Sequence, residues 1–165
     1  MLHQHAPIKY LHYLSYCLLL MLFSNLSFAE GISTATFKDI NGKQHQYTDF
    51  KGQWLIVNYW ATWCPPCLEE IPELLAFQEN HPKELAILGM DLEEIETDKL
   101  STFADEYFMD YPIIPIEEAR KAALGSIKGL PTTFIINPEG KIAVAHIGAI
   151  TQKDLLKYTQ LKEKP

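Results

Sequence analysis

Cysteine is scarce in this chain: 165 residues carry three, at positions 17, 64 and 67. So few thiols exclude a disulfide-stapled scaffold, and a bridge closing a two-residue loop would tie nothing together. Charge is scarce at the start, where Lys9 is the only charged side chain in residues 1–29. Zinc-ligand spacing is missing: His45, His81 and His146 bear no regular relation to the cysteines, whereas zinc takes about four ligands. Leu68 follows Cys67, where covalent haem attachment needs a His. Basic residues are outnumbered, 14 Lys+Arg against 21 Asp+Glu for a net charge of −7. That balance argues against nucleic acid as a partner. No resident metal or cofactor is implied.

What is present begins with a leader. The apolar core at 17–23 is followed by the small residues Ser27 and Ala29. It predicts either a signal peptide over 1–29, cut before Glu30, or a retained N-terminal membrane anchor drawing on residues 11–28. The apolar core alone is shorter than the roughly 20 residues of a comfortable span. Cys17 does not suit a lipoprotein anchor, because Tyr16 stands where a small residue is required. Residues 30–165 then make one domain, whose only thiols are Cys64 and Cys67.

Alternating and continuous apolar runs order that domain. Residues 34–47 predict a β-hairpin turning at Asn41-Gly42. Residues 53–60 are continuous and β-prone, as in a central strand covered on both faces. From Pro65 to about His81 apolar residues recur at helical spacing, with Pro72 inside the run. A strand is expected over 85–90, a helix over 98–108 and a short helix over 117–124. A strand pair at 132–136 and 141–146 turns on Asn137-Pro138-Glu139-Gly140, and Thr151 caps a last helix. The fold class is α/β: a central mixed β-sheet flanked by helices, with an N-terminal β-hairpin.

Cys64 and Cys67 enclose Pro65 and Pro66 where the central strand passes into a helix. Two thiols so spaced open and close one disulfide. Joined to Gly129-Leu130-Pro131-Thr132-Thr133-Phe134, the motif makes residues 34–162 resemble the TlpA/ResA-like group of exported thiol reductases, which have a thioredoxin-like fold. Residues 57–64, Glu70-Ile71-Pro72, 131–137 and Glu139-Gly140-Lys141 carry the resemblance. It implies a cis bond before Pro131, which faces the cysteines, and backbone groups of Leu130 offered to an extended substrate.

The chemistry follows from position. Cys64, expected exposed at a helix N-terminus where the dipole favours thiolate, attacks the target, and Cys67 resolves the mixed disulfide. Pro65 and Pro66 suit a first turn that needs no N–H. They add no positive charge, which favours a reductant or moderate carrier over a strong oxidant. Asn58 stands where general thioredoxins bury an Asp, so another acid is sought; by similarity Glu94 is the partly buried candidate, against the reading that Glu93 and Glu94 are solvated. Trp63 is expected to shield the thiols and line the docking groove; Trp60 either joins it or is core. Glu70 is expected to be a solvated helix-face acid.

The resemblance further implies a protein disulfide substrate, such as apocytochrome c or another thioredoxin-like protein. It implies a membrane-bound electron donor of the thiol-transfer type, and a place in the periplasm or on the outer face of the cytoplasmic membrane. The alternatives are a thiol oxidase or isomerase for exported proteins, and a metal- or partner-binding module of the same fold.

Overall fold

The structure, a computed structural model, describes residues 34–162. The leader expected over 1–29 lies outside them. Among the described residues no helix is long and apolar enough to cross a membrane.

Five strands form the main sheet in the order β5-β4-β3-β6-β7. Its centre is β3, Trp54–Trp60, parallel to β4, Leu85–Asp91, and antiparallel to β6, Thr132–Ile136. β5, Ile113–Ile114, extends one edge in parallel, and β7, Ile142–Ile147, closes the other antiparallel to β6. The continuous apolar sequence of β3 is explained by what covers it. Ile56 and Trp60 enter a cluster with Ile71, Leu74 and Phe77 of α1 (Pro65–Asn80), while Leu55, Val57 and Tyr59 enter a second cluster on the other face. Both faces are buried, so alternation is lost.

A small two-stranded sheet precedes the main one, with β1 at Phe37–Lys38 and β2 at Gln44–His45. The expected hairpin is there, but Phe37 pairs His45 and Lys38 pairs Gln44, leaving a five-residue connection instead of a two-residue Asn-Gly turn. Asp39 is the cause: its Oδ1 accepts the Asn41 and Lys43 amides, both at 2.9 Å. Gly42 absorbs the resulting turn at φ 79°.

The remaining helices are α2 (Thr97–Glu106), α3 (Ile116–Lys121) and α4 (Gln152–Thr159). α3 ends before the expected Leu124, whose N–H is donated to the Tyr59 hydroxyl at 3.2 Å. Thr151 caps α4 as expected, its Oγ accepting the Asp154 amide in a reciprocal capping box. The turn leading into α4 is fastened to α1, because Gln152 N–H donates to Glu73 Oε2 at 2.9 Å.

Candidate active site

Residues 61–64 leave the C-terminal end of β3 and deliver Cys64 as the N-cap of α1. Pro65 and Pro66 occupy the first two helical positions, where a missing N–H is harmless and a fixed φ suits the helix. Cys67 follows as the third helical residue and forms a disulfide with Cys64, their Cα atoms 5.3 Å apart. The prolines also thin out the local donors. The first two amides of the turn, from Cys67 and Leu68, both donate to the Cys64 carbonyl, at 3.0 and 3.2 Å. Neither an acidic nor a basic residue lies in this first turn.

In this oxidised state Cys64 is only 3 % exposed, which corrects the expectation of an open thiol. Its sulfur is turned back onto Cys67 and both join the apolar cluster of Trp60, Ala61 and Ile71. The neighbour Trp63 takes the exposed position instead, at 65 %. Trp60 is corrected from groove to core: it is fully buried with its ring 5.5 Å from that of Phe103.

The Leu130–Pro131 peptide bond is cis. β6 runs antiparallel to β3 and starts at Thr132 opposite Tyr59, so Pro131 lies at the sheet end from which the cysteines emerge. Two bonds fix this loop: Thr132 Oγ1 to the Gly129 carbonyl at 2.7 Å and Gly148 N–H to the Pro131 carbonyl at 2.9 Å. Leu130 is half-buried between the two apolar clusters.

The acids are arranged differently from the sequence expectation. Glu94 is a surface residue, its side chain 80 % exposed and paired with Arg120 at 3.4 Å. The turn after β4 is responsible. Asp91 Oδ1 accepts the Glu93 amide at 3.1 Å, and Glu93 turns inward so that its Oε2 accepts Thr62 Oγ1 at 2.6 Å and Thr62 N–H at 3.1 Å. Glu94, the next residue, faces outward.

Glu70, expected in solvent, is 1 % exposed. Asn58 Nδ2 donates to its Oε1 at 2.7 Å and Ile150 N–H to its Oε2 at 2.9 Å. The second Asn58 amide hydrogen goes to Thr133 Oγ1 at 3.0 Å. Burial pushes the Glu70 pKa up to about 7, against the opposing pull of these two donors. A signal was available: Cys67, Glu70, Ile71, Leu74 and Phe77 form one stripe at helical spacing, and all five are buried.

Asp91 was not anticipated. The last residue of β4, it is fully buried, and burial pushes its pKa to about 7. Among the described residues its Oδ2 has no hydrogen-bond partner, and neither does the indole N–H of Trp60. Trp60 and Asp91 are register partners.

Fold and site together define a thioredoxin-fold thiol–disulfide oxidoreductase: one reversible dithiol on a helix N-terminus, beside a cis-proline loop. The model of the AhpC/TSA family matches residues 30–145, and the chain belongs to that family. It is 30 % identical over 122 residues to the thioredoxin-like protein YneN of Bacillus subtilis, covering 73 % of this chain and 71 % of that protein. It is 29 % identical over 141 residues to the thiol-disulfide oxidoreductase ResA of Bacillus subtilis, covering 82 % of this chain and 76 % of ResA. The crystal structure of StoA from Bacillus subtilis superposes with a TM-score of 0.63 at 27 % identity, covering 76 % of this chain and 97 % of StoA.

Proposed function

We propose that this protein is an exported reductase of disulfides in specific envelope proteins, with apocytochrome c or another thioredoxin-like protein as the client. The observation that carries the reading is the Cys64–Cys67 disulfide at the start of α1, on the same sheet end as cis-Pro131. Reduced Cys64 attacks one sulfur of the client disulfide, forming a mixed disulfide and releasing one client thiolate. Cys67 then attacks Cys64 Sγ, the second client thiolate leaves, and the site is left in the oxidised form seen here. Two electrons from a membrane-bound dithiol donor restore it. The segment 1–29 delivers the domain across the membrane, as a cleaved signal or a retained anchor.

What surrounds Cys64 supports the reducing direction. A strong oxidant holds its nucleophilic thiolate with amide donors and positive charge. Here Pro65 and Pro66 offer no amide, and no basic residue lies in the first turn. Trp63, exposed beside Cys64, and Leu130 before the cis bond form the platform for an extended client segment.

The experiment is a trap. Cys67→Ser expressed in a bacterial envelope is expected to accumulate mixed disulfides through Cys64, while Cys64→Ser accumulates none. Equal trapping by both variants overturns the assigned order of attack. A reduction potential at or below about −250 mV supports the reductant, and one near about −120 mV overturns it in favour of an oxidase.

A further inference from the structure

The end of α1 far from the thiols closes over a cavity of about 540 Å³. Gln78 stands there, fourteen residues beyond Cys64, which is about 20 Å along the helix axis at about 1.5 Å per residue. Leu75 of α1, Leu85 and Ile87 of β4, and Phe50 give the cavity apolar walls, as small-molecule sites have. Its polar groups come from Gln78, Glu79, Asp110 and Tyr111. Among the described residues, no base lines it.

Those polar groups are chemically one-sided. Gln78 Nε2 donates to Asp110 Oδ1 at 3.4 Å, while the buried Gln78 Oε1 meets no donor among the described residues. The Tyr111 hydroxyl is buried without a partner among them too, on a residue only 4 % exposed. Burial first, then the charges of Glu70 and Asp110, raise its pKa, so it stays a neutral hydroxyl. Glu79 and Asp110 are exposed and set two carboxylates at the mouth. Unmet buried acceptors are costly, and here they lie beside negative charge.

The rim carries a separate signal. Phe108 follows α2 in the left-handed region at φ 55°. Its N–H donates to the Asp105 carbonyl at 3.2 Å, and the Met109 N–H to the Ala104 carbonyl at 2.8 Å. Glycine is the usual residue at such a helix end, because a Cβ is strained there. The Phe108 side chain is nonetheless 81 % exposed, so packing within the chain does little to offset that strain. It lines the cavity.

We propose that this cavity binds a small organic cation, a primary ammonium group on an apolar stem. An ammonium has three N–H donors and no acceptor, which suits Gln78 Oε1, the Tyr111 hydroxyl oxygen and the Asp110 carboxylate. Glu79 adds a second negative charge. The apolar walls take the stem, and Phe108 covers it from the rim, where an aromatic face also attracts a cation. Pro82 and Pro112 line the cavity and lack the N–H groups that an added strand would bond. The walls therefore suit a compact molecule better than an extended chain. This binding is independent of the reductase reading.

The test is calorimetric titration of the oxidised full chain at neutral pH, with phenethylamine as the probe and uncharged 2-phenylethanol as its counterpart. Phenethylamine is expected to bind at one site, at least about tenfold more tightly than 2-phenylethanol. Asp110→Asn is expected to weaken it at least about fivefold, and Tyr111→Phe at least about threefold. Glu117→Gln changes an exposed acid of α3 that does not line the cavity, and is expected to leave binding unchanged. No saturable binding up to about 10 mM phenethylamine, equal affinity for 2-phenylethanol, or equal losses in Asp110→Asn and Glu117→Gln overturns the proposal. Tighter binding of acetyl-Ala-Lys-Ala-amide than of phenethylamine overturns it in favour of a lysine carried on a partner chain.

Discussion

Asp39 in the N-terminal hairpin and Asp91 at the end of β4 are both buried aspartates, and they are treated in opposite ways. Asp39 spends both oxygens: Oδ1 accepts the Asn41 and Lys43 amides, and Oδ2 meets His45 Nε2 at 2.8 Å. Among the described residues Asp91 Oδ2 meets no donor, and the indole N–H of its register partner Trp60 meets no acceptor. The first arrangement holds a loop in shape. The second is expensive to keep, and it occurs on the face that carries the dithiol.

Three measurements sharpen or break that contrast, in decreasing order of effect. Asp39→Ala strands two loop amides and a buried imidazole, and is expected to cost about 3 kcal/mol in urea unfolding while leaving exchange chemistry unchanged in the folded fraction. A cost below about 1 kcal/mol would show that occupancy does not distinguish the two sites.

The second is the pH dependence of stability in the oxidised protein. Glu70 and Asp91 both have folded-state pKa values near 7, above the ordinary carboxylate range near 4. Between those limits the native state holds protons that the unfolded chain has released. Their contribution is therefore complete below about pH 4 and is lost as pH rises through 7. Glu118 and Asp154, lowered by bonds from Lys121 and Thr151, act the other way and only in the acid range. A fall of about 2 kcal/mol in unfolding free energy from pH 4.5 to 7.5 is expected, and Asp91→Asn is expected to flatten it by roughly half. A flat wild-type profile would mean that neither acid is desolvated.

The smallest effect is expected from Gly89→Ala. A Cβ there would stand 2.9 Å from Ile113 Cδ1, 3.0 Å from Trp60 Nε1 and 3.0 Å from Tyr111 Cε2. Overpacking of this kind costs about 1–2 kcal/mol, and displacement of Trp60 is expected to change its fluorescence. An unchanged spectrum and stability would show that the packing beneath the site yields easily.

The parts legible in the sequence were those written locally. Residues 53–60 and 85–90 announce buried strands because both faces need apolar side chains, and β3 and β4 fall there within a residue. The cap at Thr151 was legible because it depends on a few adjacent residues, whereas the cis bond before Pro131 was implied by the family resemblance of the motif around it. Burial of individual acids was legible only in part: the apolar stripe of α1 includes position 70, but the partners that satisfy a carboxyl there are not written locally. Glu70 was read as a solvent-side residue because its partners, Asn58 and Ile150, come up against it from 12 and 80 positions away. Glu94 was preferred to its neighbours on family position alone, yet one amide bond to Asp91 decides that Glu93 turns inward. The low exposure of Cys64 depends equally on packing, since a disulfide and an apolar cluster draw its sulfur inside.

Sequence alone determined the reactive element: two sulfurs separated by two prolines at a strand-to-helix junction, because chain connectivity brings them together whatever the rest does. The tertiary structure decided which carboxyls leave water. That choice depends on strand register and on which helix covers which sheet face, and it joins residues such as Trp60 and Asp91 that lie far apart along the chain.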